Sequence, residues 1–248
     1  MMCNEAAVLF SNRKKAVLLK WISSALFLAI LFFSGCDPNG NRYKAVTLPD
    51  STGGLADTSL HGQPVKIKNI LFFGNSITAG LGLDSASRFP YLIQQKIDSL
   101  KLPYKAINSG FSGETTAGGD TRIDVVLSTA FDIFVLELGG NDGLQKLPVS
   151  SMTQNLQTII DKVRKKYPSC KIILAGMQVP ASLGQAYASA FKAAFPQLAA
   201  NDSLYLIPFL LDGVGGIPAL NQADGIHPNA QGEKIVADNV WKILHPLL

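Results

Sequence analysis

The sequence predicts an α/β domain in which helices cover both faces of a five-stranded parallel sheet. From residue 65 onward, short apolar runs alternate with amphipathic stretches. The runs are rich in Ile, Leu, Val and Phe, which is typical of strands buried on both faces. No internal repeat or second domain interrupts this alternation. Because strand and helix follow each other regularly, parallel pairing with helical crossovers is favoured.

The predicted elements can be placed along the chain from these patterns. The five predicted strands are the runs 70–73, 104–107, 133–138, 172–175 and 205–208. Apolar residues at spacings of three and four indicate amphipathic helices over 89–100, 152–163, 187–198 and 236–247. Pro196 predicts a break or a kink in the third of these helices.

Residues 1–35 have the composition of a lipoprotein signal peptide. A basic segment at 13–15 precedes a largely apolar run of 13 residues at 21–33, which is short for a membrane-spanning helix. The run ends in Phe-Ser-Gly before Cys36, and this order resembles a bacterial lipobox. The resemblance implies lipidation of Cys36 and anchoring to a cell-envelope membrane, on its periplasmic or surface side. An ordinary secretory signal and an uncleaved anchor helix are the alternatives.

Residues 36–64 are a predicted flexible tether, and residues 65–248 are the predicted folded domain. The tether is rich in Asp, Asn, Gly, Ser and Pro and shows little periodicity. The formal charge of +4 arises mainly in the first 35 residues, so the predicted domain is nearly neutral. Nucleic-acid binding, which requires a basic surface, is therefore not expected. No Cys and His residues have the spacing of a zinc site, and no metal is expected.

The histidines narrow the search for a catalytic base. His61 lies in the predicted tether and His245 in the last predicted helix, which leaves His227. His227 follows Asp224 in the segment 224–228, Asp-Gly-Ile-His-Pro. A carboxylate at this spacing can fold back through the glycine and accept a hydrogen bond from the ring, which would fix the tautomer of a general base. A turn followed by a helix start is the alternative interpretation.

Three other residues at predicted strand ends could form a site with His227. Ser76 follows the first strand, Gly113 the second and Asn141 the third. Parallel sheets bind ligands outside the carboxyl ends of their strands. A serine there could be a nucleophile, and backbone or side-chain amides could stabilise an oxyanion. Each residue could instead serve only in a turn or a helix cap.

The four strand-end stretches together resemble the motifs of the SGNH (GDSL-type) hydrolases over residues 68–248. The matching motifs are Gly-Asn-Ser-Ile-Thr at 74–78, Ser-Gly-Glu-Thr at 112–115, Glu-Leu-Gly-Gly-Asn-Asp-Gly-Leu at 137–144, and Asp-Gly-Ile-His-Pro at 224–228. The last two are similar to the branch of arylesterases, acyl-CoA thioesterases and lysophospholipases. The resemblance implies a flavodoxin-like three-layer α/β/α sandwich with a five-stranded parallel sheet.

The resemblance also implies an enzyme that cleaves carboxylic esters or thioesters. Ser76 would be the nucleophile of a triad completed by His227 and Asp224, and the reaction would pass through a covalent acyl-enzyme. The amides of Ser76 and Gly113 and the side chain of Asn141 would form the oxyanion hole. No cofactor is implied, the substrate would be a small acyl ester or thioester, and the protein is expected to be a monomer.

Two residues depart from the family pattern. Asn75 stands where the family usually has Asp before the serine, which removes a charge. Glu114 stands where the family usually has Asp, and its extra methylene could alter the rim of the pocket. Because Asn75 does not belong to the implied triad, its departure from Asp is not expected to abolish activity.

The expected acyl pocket consists of four apolar residues near the strand ends: Phe111, Leu144, Val179 and Pro180. A carbohydrate O-deacetylase of the same fold, or a lipoprotein that binds acyl or glycan ligands without catalysis, is the alternative function. A common α/β-hydrolase is disfavoured because no serine has glycines two residues before and after it. A nucleotide-binding module is disfavoured because no Gly-x-Gly-x-x-Gly follows the first strand.

Overall fold

The computed structural model describes residues 65–248, and within them the predicted fold class is confirmed. Five strands form one parallel sheet in the order β2-β1-β3-β4-β5. The strands are β1 (Lys68–Gly74), β2 (Tyr104–Gly110), β3 (Ile133–Glu137), β4 (Lys171–Ala175) and β5 (Tyr205–Ile207). The predicted signal peptide, the lipidated Cys36 and the tether lie outside the described residues.

Seven α-helices accompany the strands. They are α1 (Ser76–Ala79), α2 (Phe89–Ser99), α3 (Thr116–Val126), α4 (Gly140–Leu144), α5 (Val149–Lys166), α6 (Gln185–Asn201) and α7 (Ala230–Leu244). Short 3₁₀ segments lie at Ser85–Ser87, Ala181–Leu183, Pro218–Leu220 and His245–Leu247. Over residues 65–248, no helix has the length and the apolar character that a membrane crossing requires.

The helices form two groups, one on each face of the sheet. Helix α5 contacts both α3 and α6, whereas α2 contacts α7. This division follows from the strand order, because right-handed crossovers place the helix between β1 and β2 opposite those that connect β2 through β5. The result is a three-layer α/β/α arrangement.

The central strand β1 is buried from both faces. Phe72 meets Phe89 of α2 edge to face, with ring centroids 5.5 Å apart, and Phe73 packs on Phe134 of β3 at 5.6 Å. Every residue of β3 is buried, as are the last five residues of β1. The continuous apolar runs of the sequence are therefore the double-sided core of the sheet.

The structure differs from the helix predictions at two places. Helix α6 continues through Pro196 without a break, because the following residues Leu198 and Ala199 remain packed in the core. Helix α3 was not predicted, since it buries only Thr116, Gly119 and Ile123 and has no apolar stripe. A Cβ at Gly119 would come within 2.3 Å of Leu138, so a small residue is required for α3 to approach the sheet.

Helix α7 is held against α2 by a buried carboxyl. The amide of Phe89 donates to Glu233 Oε2 at 2.6 Å, and burial raises the pKa of Glu233 to about 8. Helix α7 begins at Ala230, two residues beyond Pro228, and the side chain of Asn229 caps its first turn. The helix that follows the Asp-Gly-Ile-His-Pro segment is thus anchored to the start of α2.

Candidate active site

The carboxyl ends of β1, β2 and β3 lie side by side and bring three of the four motif segments together. Gly74 at the end of β1 pairs with Gly110 of β2 and with Glu137 of β3. The segments that follow these residues carry Ser76, Gly113 and Asn141, respectively. The fourth segment, 224–228, reaches the same edge from the loop between β5 and α7.

Ser76, His227 and Asp224 form a continuous hydrogen-bonded chain. Ser76 Oγ lies 2.8 Å from His227 Nε2, and His227 Nδ1 lies 2.7 Å from Asp224 Oδ2. The serine is buried, the histidine side chain is 17% exposed and the aspartate side chain is 43% exposed. This is the order and the spacing that a serine nucleophile, its general base and an orienting carboxylate require.

The turn that holds Asp224 fixes its carboxylate in an ionised state. Asp224 Oδ1 accepts hydrogen bonds from the amides of Ile226 at 2.8 Å and His227 at 3.0 Å, and Gly225 between them has a φ of +70°. The side-chain hydrogen bond from His227, followed by these backbone bonds, lowers the pKa of Asp224 to about 2. The ionised carboxylate accepts the hydrogen bond from Nδ1–H of the ring, and in that tautomer Nε2 is the nitrogen that can accept the proton of Ser76.

Gln222 connects the histidine loop to the loop after the serine helix, and no local sequence pattern predicts this role. Its side-chain amide donates to the carbonyls of Leu81 at 2.7 Å and Pro228 at 3.0 Å. Its backbone amide donates to the carbonyl of His227 at 2.7 Å. Ser76 and His227 are 151 residues apart in the sequence. The contacts of Gln222 therefore hold together the two loops that carry them.

The serine stands at the first position of α1, and Asn75 is the N-cap of that helix. Asn75 Oδ1 accepts from the amide of Ile77 at 2.9 Å, and Asn75 Nδ2 donates to Glu137 Oε1 at 2.8 Å. Glu137 Oε2 accepts in addition from the amide of Asn75 at 3.0 Å and from Thr78 Oγ1 at 2.8 Å. The buried Glu137 carboxyl thus supports the turn that presents Ser76, a role that sequence reasoning missed.

Burial raises the pKa of Glu137 to about 7, although its hydrogen bonds from Thr78 and Asn75 oppose the shift. Asn75 can donate to this group whatever its charge, whereas an aspartate at the same position could not donate without a proton. The uncharged side chain of Asn75 therefore suits the buried Glu137 carboxyl, because it can donate a hydrogen bond to that group in either protonation state.

Asn75→Asp is expected to make the stability of the fold more dependent on pH. Two carboxyl groups would then face each other and share one proton in the folded state. Unfolded carboxyls release that proton near pH 4, so the melting temperature should fall as the pH rises from about 6 to about 9. In the wild type the part of this fall that is due to Glu137 should level off above about pH 7, and the part due to Glu233 above about pH 8.

Thermal melts followed by circular dichroism test this expectation. Gln145→Glu is the matched control, because it adds one negative charge at an exposed position on the same side of the sheet. Identical pH profiles for Asn75→Asp, the control and the wild type would contradict the role given to Asn75.

Three candidate N–H donors lie on the segments that follow β1, β2 and β3. Over residues 65–248, the backbone amides of Ser76 and Gly113 donate no hydrogen bond. Gly113 has a φ of +84°, which favours glycine there. Asn141 uses one N–H of its side chain to donate to the carbonyl of Glu114 at 2.9 Å, and its second N–H is available. The donors predicted from the sequence thus lie on the three neighbouring segments β1–α1, β2–α3 and β3–α4.

The residues expected to line an acyl pocket differ in their exposure. Phe111 is 61% exposed and Leu144 46% exposed, Pro180 is exposed, and Val179 is partly buried. The amide of Phe111 donates to the carbonyl of Gly74 at 2.8 Å, which places its backbone beside the end of β1.

Val179 lies against helix α4, because a Cβ at Gly143 would meet its side chain at 2.4 Å. Glu114, considered for the pocket rim, is instead buried with its carboxylate on Arg122. Over residues 65–248, no group of His, Cys, Asp and Glu side chains is arranged to hold a metal ion.

Comparisons with known proteins relate the chain to ester hydrolases. The profile of the GDSL-like Lipase/Acylhydrolase family matches residues 72–235. Esterase TesA of Pseudomonas aeruginosa is 37% identical over 187 residues, which is 75% of this chain and 92% of that protein. Thioesterase 1/protease 1/lysophospholipase L1 of Escherichia coli K12 is 33% identical over 180 residues, which is 72% of this chain and 84% of that protein.

Solved structures of esterases are also similar to this chain. The crystal structure of TesA has a TM-score of 0.70 at 37% identity and covers 73% of this chain and all of its own. The crystal structure of AlinE4, an SGNH-hydrolase family esterase, has a TM-score of 0.61 at 34% identity and covers 74% of this chain and 97% of its own.

Proposed function

The chain belongs to the GDSL-like lipase/acylhydrolase family and is an SGNH-type esterase or thioesterase, and on that premise we propose that Ser76, His227 and Asp224 hydrolyse carboxylic esters or thioesters through a covalent acyl-enzyme. The observation that carries the proposal is the continuous hydrogen-bonded chain through His227, at 2.8 Å to Ser76 and 2.7 Å to Asp224. The reaction then has two halves that use the same residues.

In the acylation half, Ser76 Oγ attacks the carbonyl carbon of the substrate while its proton passes to His227 Nε2. The resulting imidazolium is stabilised by the ionised Asp224. The tetrahedral intermediate then collapses, and His227 gives the proton to the leaving alcohol or thiol. Ser76 remains bound to the acyl group as an ester.

In the deacylation half, a water molecule takes the place of the leaving group. His227 Nε2 accepts a proton from the water as its oxygen attacks the acyl carbonyl. When the second tetrahedral intermediate collapses, the proton returns to Ser76 Oγ and the carboxylic acid is released. The residues present supply every proton transfer, and no cofactor enters the scheme.

The negative charge on the carbonyl oxygen would be stabilised by the amides of Ser76 and Gly113 and the side chain of Asn141. Such donors act most strongly when they are held in place before the reaction. The amide of Ser76 lies at a helix start, that of Gly113 is fixed by a left-handed turn, and Asn141 is held by its bond to the carbonyl of Glu114.

Asn141→Ala is expected to lower kcat by about 10²- to 10³-fold, because one oxyanion donor is lost. The fold should be retained, since the Asn141 side chain is only partly buried and bonds one carbonyl. Hydrolysis of p-nitrophenyl butyrate together with thermal melts measures both quantities. A kcat equal to that of the wild type would remove Asn141 from the oxyanion hole.

The acyl group is proposed to contact Phe111, Leu144, Val179 and Pro180, which are apolar and follow the same strand ends as the catalytic residues. The substrate class is best tested with a series of p-nitrophenyl esters of increasing acyl length, with acyl-CoA thioesters and acetylated sugars alongside. Turnover of esters or thioesters above that of acetylated sugars supports the proposal. Turnover of acetylated sugars alone would assign a carbohydrate deacetylase instead.

The lipobox-like sequence supports a further part of the proposal, that the enzyme is a lipoprotein anchored through Cys36 to a cell-envelope membrane. We also propose that it acts there as a monomer. Labelled palmitate should enter the full-length chain in a bacterial host, and Cys36→Ala should prevent this. Equal labelling of the wild type and Cys36→Ala, or no labelling of either, would contradict the anchor.

A further inference from the structure

The Arg122–Glu114 ion pair contacts the segments that carry the three proposed oxyanion donors, and it takes no part in the triad. We propose that Arg122 and Glu114 are positioning residues that hold the amides of Gly113 and Asn141 in register with Ser76. The inference rests on the proposed function, because it concerns how the oxyanion hole of that reaction is kept in place.

The pair is a two-point contact between a helix and the loop before it. Arg122 of α3 donates from Nε to Glu114 Oε1 at 2.6 Å and from Nη2 to Glu114 Oε2 at 2.5 Å. The Glu114 side chain is 4% exposed and that of Arg122 23% exposed, so water competes little for these bonds. A planar, bidentate pair fixes orientation as well as distance.

Arg122 also reaches the ends of the two adjacent strands. Its Nη1 donates to Ser109 Oγ at 3.1 Å near the end of β2, and its Nη2 donates to the carbonyl of Gly74 at 3.5 Å at the end of β1. The guanidinium lies over the ring of Phe73, 4.0 Å from the ring centroid. The side chain therefore joins the residue two positions before Ser76 to the strand that leads to Gly113.

Glu114 connects the pair to the other two donors. Its backbone follows Gly113 directly, and its amide donates to the carbonyl of Phe111 at 3.2 Å, so Glu114 closes the turn that holds Gly113. Its carbonyl accepts the hydrogen bond from Asn141 Nδ2 at 2.9 Å. A displacement of Glu114 would consequently shift one proposed donor and release the other.

The extra methylene of Glu114, relative to the Asp usual in the family, helps its carboxylate to reach Arg122. The side chain runs past Gly118 in the first turn of α3, where a Cβ at that glycine would come within 3.2 Å of Glu114 Cγ. The Glu114 carboxylate can thus reach Arg122, which lies on α3 eight residues later in the sequence, while the Glu114 backbone stays beside Gly113. The departure from Asp lengthens the connection and keeps the charge.

The test compares Glu114→Gln and Arg122→Lys with the wild-type full-length chain, at a temperature where circular dichroism shows each to be folded. We expect kcat for p-nitrophenyl butyrate to fall about 10- to 100-fold, because a misplacement of about 1 Å can cost about 100-fold in rate. KM should change less than about threefold, since the acyl pocket is not altered. The rate at which a fluorophosphonate modifies Ser76 should fall with kcat.

Glu114→Asp is the conservative comparison and Asp124→Asn is the matched control. Glu114→Asp keeps the charge but shortens the side chain by one methylene, so its kcat should lie between those of the wild type and Glu114→Gln. Asp124→Asn removes a different ion pair of α3, the 3.0 Å contact with Lys162, and should leave kcat unchanged. Arg122→Lys, which retains the positive charge, decides the question if Glu114→Gln does not fold.

The outcomes separate this inference from the proposed function. If the wild type neither hydrolyses the esters nor reacts with the fluorophosphonate, the proposed function is wrong, and the positioning role falls with it. If the wild type is active and Arg122→Lys and Glu114→Gln keep its kcat, the positioning role alone is wrong. A lower melting temperature with an unchanged kcat likewise overturns it, because the pair would then serve only the fold.

Discussion

Ser76→Ala is expected to abolish ester hydrolysis, with kcat lowered by about 10⁴-fold or more. The hydroxyl that would form the acyl-enzyme is removed, and His227 has no other group within hydrogen-bonding distance to activate over residues 65–248. Only the oxyanion donors and substrate binding would remain, and these supply a small part of the acceleration. The variant should fold, because alanine fits at a buried first position of a helix and the Asn75 cap does not depend on the hydroxyl.

Ser112→Ala is the control for this experiment. Ser112 is exposed and lies in the turn beside Gly113, yet its hydroxyl makes no hydrogen bond over residues 65–248. Turnover of p-nitrophenyl esters should be lost in Ser76→Ala and kept in Ser112→Ala. A folded Ser76→Ala protein with near-wild-type turnover would contradict the covalent scheme.

His227→Ala is expected to have an effect of similar size, at least about 10⁴-fold in kcat. Without the imidazole, no group accepts the proton of Ser76 Oγ, and no group protonates the leaving alcohol or thiol. The fold should tolerate the change, because the turn does not depend on the imidazole ring. It is held by the hydrogen bond from Gln222 to the carbonyl of Pro228 and by two backbone amides that donate to Asp224 Oδ1.

His245→Ala provides the matched control for the histidine. His245 stacks on Trp241 at the end of α7, with ring centroids 4.9 Å apart, and has no contact with Ser76 or Asp224. Hydrolysis of p-nitrophenyl butyrate should be retained in His245→Ala and lost in His227→Ala. Equal activity of the two variants would remove His227 from the mechanism.

The sheet could be predicted from sequence because its strands are buried on both faces. Runs such as 133–136 are apolar without interruption, and every residue of β3 is buried. Helix α3 could not be predicted in the same way. It approaches the sheet through Gly119, and the signal for a glycine contact is the absence of a side chain rather than an apolar stripe.

The candidate triad could be predicted because each of its members follows a strand or a glycine turn and has a chemically distinctive side chain. Asp224 and His227 are close in sequence, and the fold rule for parallel sheets supplied the proximity of Ser76. The structure brings these three residues into hydrogen-bonding distance, as expected.

The supporting residues could not be predicted, since their partners are distant in sequence. Glu137 closes an apolar run, and nothing local shows that it will accept hydrogen bonds from Asn75 and Thr78, about 60 residues earlier. Arg122 and Gln222 are polar residues in ordinary positions, and their contacts arise only when the strand ends and loops are assembled. The structure therefore adds the second layer of contacts around a set of residues that motifs could identify.

The most direct test of the central claim is covalent labelling by a fluorophosphonate, followed by mass spectrometry of the modified peptide. Such a reagent reacts with a serine that is activated by a base and backed by oxyanion donors. The account predicts one adduct, on Ser76, in the wild type and in Ser112→Ala, and none in Ser76→Ala or His227→Ala. An unlabelled wild type, or an adduct on a serine other than Ser76, would contradict it.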